Sequence, residues 1–272
     1  MPDTTSKLPA RIGLTDEGHG APVVLLHCSA SSSRQWKNLR NLGSDRYRFL
    51  SLDLLGYGDT AFPANPAGYS IDDEVGLVER AMARVDGPVH LVGHSYGGAV
   101  ALKTALRHPS RVRSVYAYEP VLFSLLPIAG REAEWREIRA LGERMSELHA
   151  AGSPAAAMGL FVDYWGQAGA WDAMPESRQA SIVMAAPKLM LEFGSIFNDP
   201  VSAGRYGTLP MPVRIAAGKA SPPTSRAVAE LLAEAIGRAS LDWIEDAGHM
   251  APLSDPDLVN PAILTHLALH AL

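Results

Sequence analysis

Ser95 and His249 are the two residues whose surroundings best suit them to proton transfer and covalent chemistry. Ser95 lies in Gly93-His94-Ser95-Tyr96-Gly97, a G-x-S-x-G pattern. The pattern directly follows the apolar run Val89-His90-Leu91-Val92 and directly precedes a stretch of helical spacing with Val100, Ala101, Thr104 and Ala105. A serine in a strand–turn–helix setting is held in a tight bend with its hydroxyl exposed. The flanking glycines are needed there because a Cβ would collide with neighbouring backbone, and Gly98 lets the helix start close to the sheet. The helix N-terminus directs free N–H groups and partial positive charge at the serine. The plainer alternative is a serine in an ordinary βα turn.

A serine hydroxyl is a weak nucleophile until a neighbour takes its proton. Of nine histidines, His249 stands out. It lies in Asp246-Ala247-Gly248-His249, in a loop after the last expected strand, where an imidazole can reach the C-terminal edge of a sheet. A solvent-exposed loop histidine is the alternative. His27 and His94 touch the site by position and read chiefly as structural, with a pocket position as the functional alternative for His27. Acyl transfer also needs N–H donors for a developing oxyanion. Tyr96, the residue after the nucleophile, should supply one backbone N–H, and Ser29, after the run Val23-Val24-Leu25-Leu26, the other. Cys28 beside it reads chiefly as a small buried filler, with a pocket position as the functional alternative.

These residues need a scaffold, and the apolar rhythm supplies it. Short runs at 23–26, 49–54, 89–92 and 112–118 alternate with amphipathic stretches, one of which places Ile71, Val75, Val78 and Met82 on one face. Such alternation implies a mostly parallel sheet covered on both faces. From 123 to 207 the rhythm changes to a charged helical stretch over 131–150, followed by an aromatic segment with Phe161, Tyr164, Trp165 and Trp171. This region is expected to be a helical insertion, with 1–122 and 208–272 forming the core. Strands return at 211–217 and 241–244, helices at 224–236 and 256–270. The aromatic cluster either lines a substrate pocket or packs the insertion; Met174, Met184 and Met190 share that ambiguity.

Composition narrows the function. The 272 residues are 47% hydrophobic and 19% charged, as in a globular protein that can bury a large core. A net charge of −5 without a basic run gives nucleic acid nothing to bind. Cys28 is the single cysteine, so no internal disulfide forms, which suits a reducing compartment. The first ten residues lack the apolar core of a signal peptide. No stretch approaches the roughly 18 apolar residues of a membrane helix. A soluble, cytoplasmic protein without a membrane partner is the expectation. No metal-ligand spacing or phosphate loop occurs, so no cofactor and no metal are expected.

Leu25-Leu26-His27, Asp53-Leu54-Leu55-Gly56-Tyr57-Gly58, the Gly93–Gly97 motif and Gly248-His249, in this order, resemble the α/β-hydrolase superfamily. The resemblance implies an eight-stranded, mostly parallel sheet with a helical cap over 123–207. Many members carry the triad acid in a Gly-x-x-Asp setting after the strand that is 211–217 here. This chain has Gly218-Lys219-Ala220-Ser221 instead, and no other aspartate between 201 and 241. Some esterase-like members place the acid one strand earlier, pairing Tyr-Glu-Pro with a later Ser-Pro. Both halves occur here, as Tyr118-Glu119-Pro120 and Ser221-Pro222, so the resemblance implies Glu119. Asp246, Glu230 or no acid at all are the alternatives. Asp53 reads as a ligand contact or as a carboxylate holding the turn's amides. Epoxide hydrolases and haloalkane dehalogenases resemble the chain too, but use an aspartate where this one has Ser95. The expected chemistry is hydrolysis of a small ester or lactone through an acyl-Ser95 intermediate. Cleavage of a C–C bond in a diketone, acyl transfer or perhydrolysis, and a non-catalytic receptor of the same fold stay open.

Overall fold

The computed structural model describes residues 8–271. Its centre is a seven-stranded sheet in the order β1-β3-β2-β4-β5-β6-β7. The strands are β1 (Leu14–Gly18), β2 (Ala21–Leu26), β3 (Tyr47–Leu52), β4 (Val89–His94), β5 (Val112–Tyr118), β6 (Val213–Gly218) and β7 (Ala239–Ile244). β1 pairs antiparallel with β3; every other pair is parallel. The core helices are α1 (Lys37–Gly43), α2 (Ile71–Met82), α3 (Tyr96–Arg107), α10 (Pro223–Ala235), α11 (Ala251–Ser254) and α12 (Pro256–Leu269).

The continuous apolar character of β2 follows from burial on both faces. Val24 and Leu26 join one core cluster, Val23 and Leu25 the other. This is the two-residue alternation of a strand carried into two separate interiors. Ile71, Val75, Val78 and Met82 are buried on the inner face of α2. Ser70 and Asp73 start that helix with a capping box, each side chain meeting the other's backbone N–H.

The sheet has one strand fewer among the described residues than the eight expected. Ahead of β1 the chain contains Pro9, which cannot donate to a ladder. The carbonyls of Pro9 and Ala10 accept from the Arg80 guanidinium rather than from a strand. Residues 1–7 and 272, included in the expected core limits, lie outside the described residues.

Between β5 and β6 the chain runs only through helices among 119–212: α4 (Leu125–Ile128), α5 (Glu132–Ala150), α6 (Pro154–Trp165), α7 (Glu176–Val183), α8 (Ala186–Phe197) and α9 (Ala203–Tyr206). No single helix among the described residues is long and apolar enough to cross a membrane.

The helical segment is tied to the core by a buried charge cluster. Lys188 on α8 donates to Glu192 (2.7 Å) and to the Tyr69 hydroxyl (2.8 Å), and lies 3.0 Å from Glu74 on α2. Its ammonium also stands 4.5–5.1 Å from the ring centres of Tyr57, Tyr69 and Tyr96, a cation–π cage. Buried charge is tolerated only when paired and hydrogen-bonded in this way. Burial nevertheless holds the Glu192 carboxyl above its usual range.

Four buried histidines make stability depend on acid. Burial lowers His27 and His90 to about 4 and His266 to about 3, and pushes His94 well down. Once unfolded, each binds its proton near pH 6.5, whereas in the folded protein His27 and His90 refuse it until near pH 4 and His266 until near pH 3, with His94 also shifted down. The unfolded state therefore gains protons first, and stability present above pH 6.5 is lost as pH falls toward 4. Thermal unfolding followed from pH 8 to 4.5 should give a Tm that drops steadily below pH 6.5. Each such histidine adds about 1.4 kcal/mol per pH unit to the fall. A flat Tm between pH 7 and 5 would contradict this account.

Candidate active site

Ser95 occupies the bend between β4 and α3 with φ 55° and ψ −117°. A non-glycine residue at positive φ is strained and is retained only where its surroundings fix it. Here they do. The Ser95 N–H donates to the Tyr118 carbonyl (2.8 Å), binding the bend to the end of β5. The glycines on either side have no alternative. A Cβ on Gly93 would stand 2.3 Å from the Gly97 carbonyl oxygen, and one on Gly97 would stand 2.4 Å from that of Leu26.

The end of β5 carries the acid. Glu119 has φ 44° and is fully buried. A carboxylate without water needs protein donors, and Glu119 has three. Its Oε1 accepts from the Gly218 N–H (2.8 Å) and from the Ser221 hydroxyl, and its Oε2 from His249 Nδ1 (2.6 Å). The other face of the imidazole, Nε2, lies 3.0 Å from Ser95 Oγ. Glu119, His249 and Ser95 thus form one buried line of hydrogen bonds drawn from three segments. The joint presence of Tyr-Glu-Pro and Ser-Pro has a direct cause: the serine of the second motif holds the glutamate of the first. The two other candidate acids stand elsewhere, Asp246 exposed to solvent and Glu230 paired with Arg131 at 2.7 Å.

The histidine loop is held by groups that sequence reasoning treated as background. Tyr118 donates its hydroxyl to the Gly248 carbonyl (2.7 Å). His94 Nε2 lies 2.8 Å from the His249 carbonyl oxygen, and its Nδ1 lies 3.1 Å from the Gln35 amide nitrogen. With Gln35 donating, His94 carries its proton on Nε2 and donates it to the loop. Burial keeps this ring neutral. His27 is likewise occupied. It accepts from the Leu54 N–H (3.0 Å) at Nε2 and donates to the Cys28 carbonyl (2.7 Å) at Nδ1. Asp53 takes the structural of its two readings, accepting from the N–H groups of Ser33 (2.7 Å) and Asp59 (3.0 Å).

Tyr96 is the first residue of α3, where a helix leaves its N–H without an intrahelical partner. Ser29 follows β2 in the neighbouring loop, whose turn places Ala30 at φ 53°. Cys28 and Ser29 line a cavity of about 390 Å³ that continues under the helical segment. Phe161 and Trp165 from α6, with Met174 and Ile182, form its apolar walls. Trp165 also packs on the His249 imidazole, ring centres 4.1 Å apart, so the cavity ends against the hydrogen-bonded line. Burial raises the Cys28 thiol to about 12, leaving it protonated and inert at neutral pH.

Three of the expected pocket residues do not line this cavity. His27 is fully buried with both ring nitrogens engaged. Tyr164 points its hydroxyl at Glu137 (2.8 Å) and Thr224 (2.7 Å), tying the segment to α10. Trp171 packs on the Gly159 face of α6. The aromatic cluster is divided: Phe161 and Trp165 face the cavity, while Tyr164 and Trp171 hold helices together. Another space, of about 720 Å³ over α2 and α3, is lined by Asp72, Glu79, Lys103 and Arg107 and by neither Trp165 nor the loop after β2.

The sequence pattern of the Alpha/beta hydrolase family matches residues 23–262. The chain belongs to this family. Among curated relatives, a haloalkane dehalogenase of Agrobacterium fabrum is 35% identical over 113 residues, 41% of this chain and 36% of the relative. A 2-hydroxymuconate semialdehyde hydrolase of Pseudomonas putida is 34% identical over 133 residues, 46% of this chain and 45% of the relative. The matched stretch thus spans less than half the length of either. An esterase from Exiguobacterium antarcticum has a similar fold, with a TM-score of 0.77 and 19% identity over 94% of this chain and 95% of the esterase.

The role of Ser221 is open to measurement. Ser221→Ala removes one of three donors to a buried carboxylate, a bond of about 1.5–3 kcal/mol in such settings. The hydrolase should lose about tenfold in kcat/KM on a p-nitrophenyl ester, and Ser221→Thr, which keeps a hydroxyl, should recover part of it. Unchanged kinetics in Ser221→Ala would mean that Glu119 needs no help from this residue.

Proposed function

We propose that this α/β hydrolase cleaves a small carboxylic ester or lactone through an acyl intermediate on Ser95. The observation that carries the reading is the buried hydrogen-bonded line of Glu119, His249 and Ser95, at 2.6 and 3.0 Å. His249 Nε2 takes the Ser95 proton as the oxygen attacks the substrate carbonyl. The backbone N–H groups of Tyr96 and Ser29 receive the charge that develops on the carbonyl oxygen. The imidazolium then returns its proton to the departing alcohol, and afterwards takes one from water to release the acid. Glu119 stays ionised throughout, fixing the proton on Nδ1 and stabilising the imidazolium. The helices over 123–207 act as a cap, with Phe161 and Trp165 against the apolar part of the substrate. No cofactor enters this chemistry. The single buried cysteine supports a reducing, cytoplasmic setting.

Cleavage of a C–C bond in a diketone is the second reading, favoured by the match to the Pseudomonas putida semialdehyde hydrolase. The same three side chains would serve, with a carbon leaving group taking the proton.

A fluorophosphonate probe should label the protein in a one-to-one adduct, and labelling should vanish in Ser95→Ala; an adduct that survives would remove Ser95 from its role. Glu119→Gln should keep a folded protein but lower kcat by about two to four orders of magnitude, as expected when the imidazole loses its carboxylate. A wild-type rate would place the acid elsewhere. Short-chain and medium-chain p-nitrophenyl esters, a lactone and a diketone separate the two readings, and turnover of the diketone alone would reverse their order.

A further inference from the structure

Two connected spaces lead from the surface to Trp165, whose ring packs on His249. The inner one is the 390 Å³ cavity, within the size range of small-molecule sites. The outer one is an open groove of about 720 Å³ between the start of α1, the Gly56–Gly58 turn and α7. They share Ala30, Ser31, Arg178, Ile182 and Leu253 in their walls, so the groove is the mouth of the cavity.

The charges in these walls are all of one sign. Arg34, Lys37 and Arg178 line the groove, Arg178 lines the cavity as well, and no aspartate or glutamate lines either space. None of the three cations forms an ion pair among the described residues. Elsewhere on the molecule some arginines are matched, Arg40 with Glu17, Arg48 with Asp16 and Arg214 with Asp242, and others stand singly; what sets the mouth apart is three cations gathered with no acid in the same wall. In a chain of net charge −5, a mouth with three free cations and no acid runs against the average composition. Ordinary surfaces intersperse both signs. A cleft lined by one sign with low-dielectric walls behind it concentrates ligands of the opposite sign.

We propose that the substrate is an anionic ester, its apolar body in the inner cavity and its carboxylate or phosphate held by Arg178, with Arg34 and Lys37 drawing it in. This deepens the ester reading and rests on it. Inside the cavity, Phe161, Met174 and Ile182 offer an anion nothing, so the charged end must face Arg178, the single cation in that wall. A guanidinium fork suits both carboxylate and phosphate and stays charged at any working pH. The chemistry at Ser95 is unchanged. Selection acts on the end of the substrate remote from the scissile bond.

The test compares p-nitrophenyl esters of one eight-carbon acyl chain ending in methyl, carboxylate, phosphate or ammonium. At low salt, one of the anionic esters should exceed the methyl ester about tenfold in kcat/KM, and the larger of the two identifies the anion. Salt should shrink that ratio. Arg178→Ala should bring it close to one, and Arg178→Glu should turn the preference toward the ammonium ester. Arg178 is exposed on α7, so neither change disturbs the core. Equal kcat/KM for all four esters in the wild type, or an anion preference that survives Arg178→Glu, would overturn the proposal. Should no ester be turned over, the ester reading fails by itself, and binding of suberate and octyl phosphate, followed by tryptophan fluorescence, decides the anion site. Saturable binding lost in Arg178→Ala upholds it; no binding, or binding indifferent to that change, removes it.

Discussion

A carboxylate sealed from water must find its solvation among protein donors, and the arrangement around Glu119 follows from that requirement. Its three donors come from β6, from the loop after β6 and from the loop after β7. The bonds join Glu119 to two stretches far from it in sequence, 218–221 and the loop at 249. The same strand end anchors the serine bend through the Tyr118 carbonyl and the histidine loop through the Tyr118 hydroxyl. Two consecutive residues of β5 and its exit therefore set the separation of Ser95 and His249. Removing the carboxylate altogether would leave three buried donors short of their acceptor, because a half-satisfied polar network costs more than none.

Much of this was legible in the sequence because it rests on local signals. The alternating apolar runs located β2 through β7 to within a few residues, since strands buried on both faces must be apolar throughout. Glycines at 93 and 97 marked the bend because no other residue fits there. β1 was not foreseen: Leu14–Gly18 is a polar edge strand whose Asp16 and Glu17 pair with arginines rather than enter the core. The division of the aromatic cluster was equally hidden. Whether Tyr164 faces a cavity or Thr224 depends on how α6 lies against α10, which no spacing within 160–172 encodes. The Lys188 cluster draws on positions 57, 69, 74, 96, 188 and 192. Read alone, Lys188 and Glu192 are an ordinary i,i+4 surface pair.

That cluster joins the helical segment to the core at Tyr96, the residue after Ser95. Tyr96 supplies a backbone N–H on one side of its residue and, on the other, a ring that faces the Lys188 ammonium and a hydroxyl bonded to Tyr69 (2.6 Å). Movement of α8 would therefore be felt at α3. Ionic contacts of this depth are poor contributors to net stability, because desolvation offsets most of the attraction. Their geometry is nonetheless restrictive, which fixes how α8 lies against α2 and α3.

Ser221 stands third after Gly218, the spacing at which many relatives by fold carry an aspartate, and here its hydroxyl is spent on Glu119. An acid at 221 and an acid at 119 would lie within hydrogen-bond reach of each other, and two carboxylates so close cannot both ionise. One would hold a proton at neutral pH and cease to orient the imidazole. The serine at 221 avoids that conflict: it brings no second charge to the end of β6 and gives its hydroxyl to Glu119.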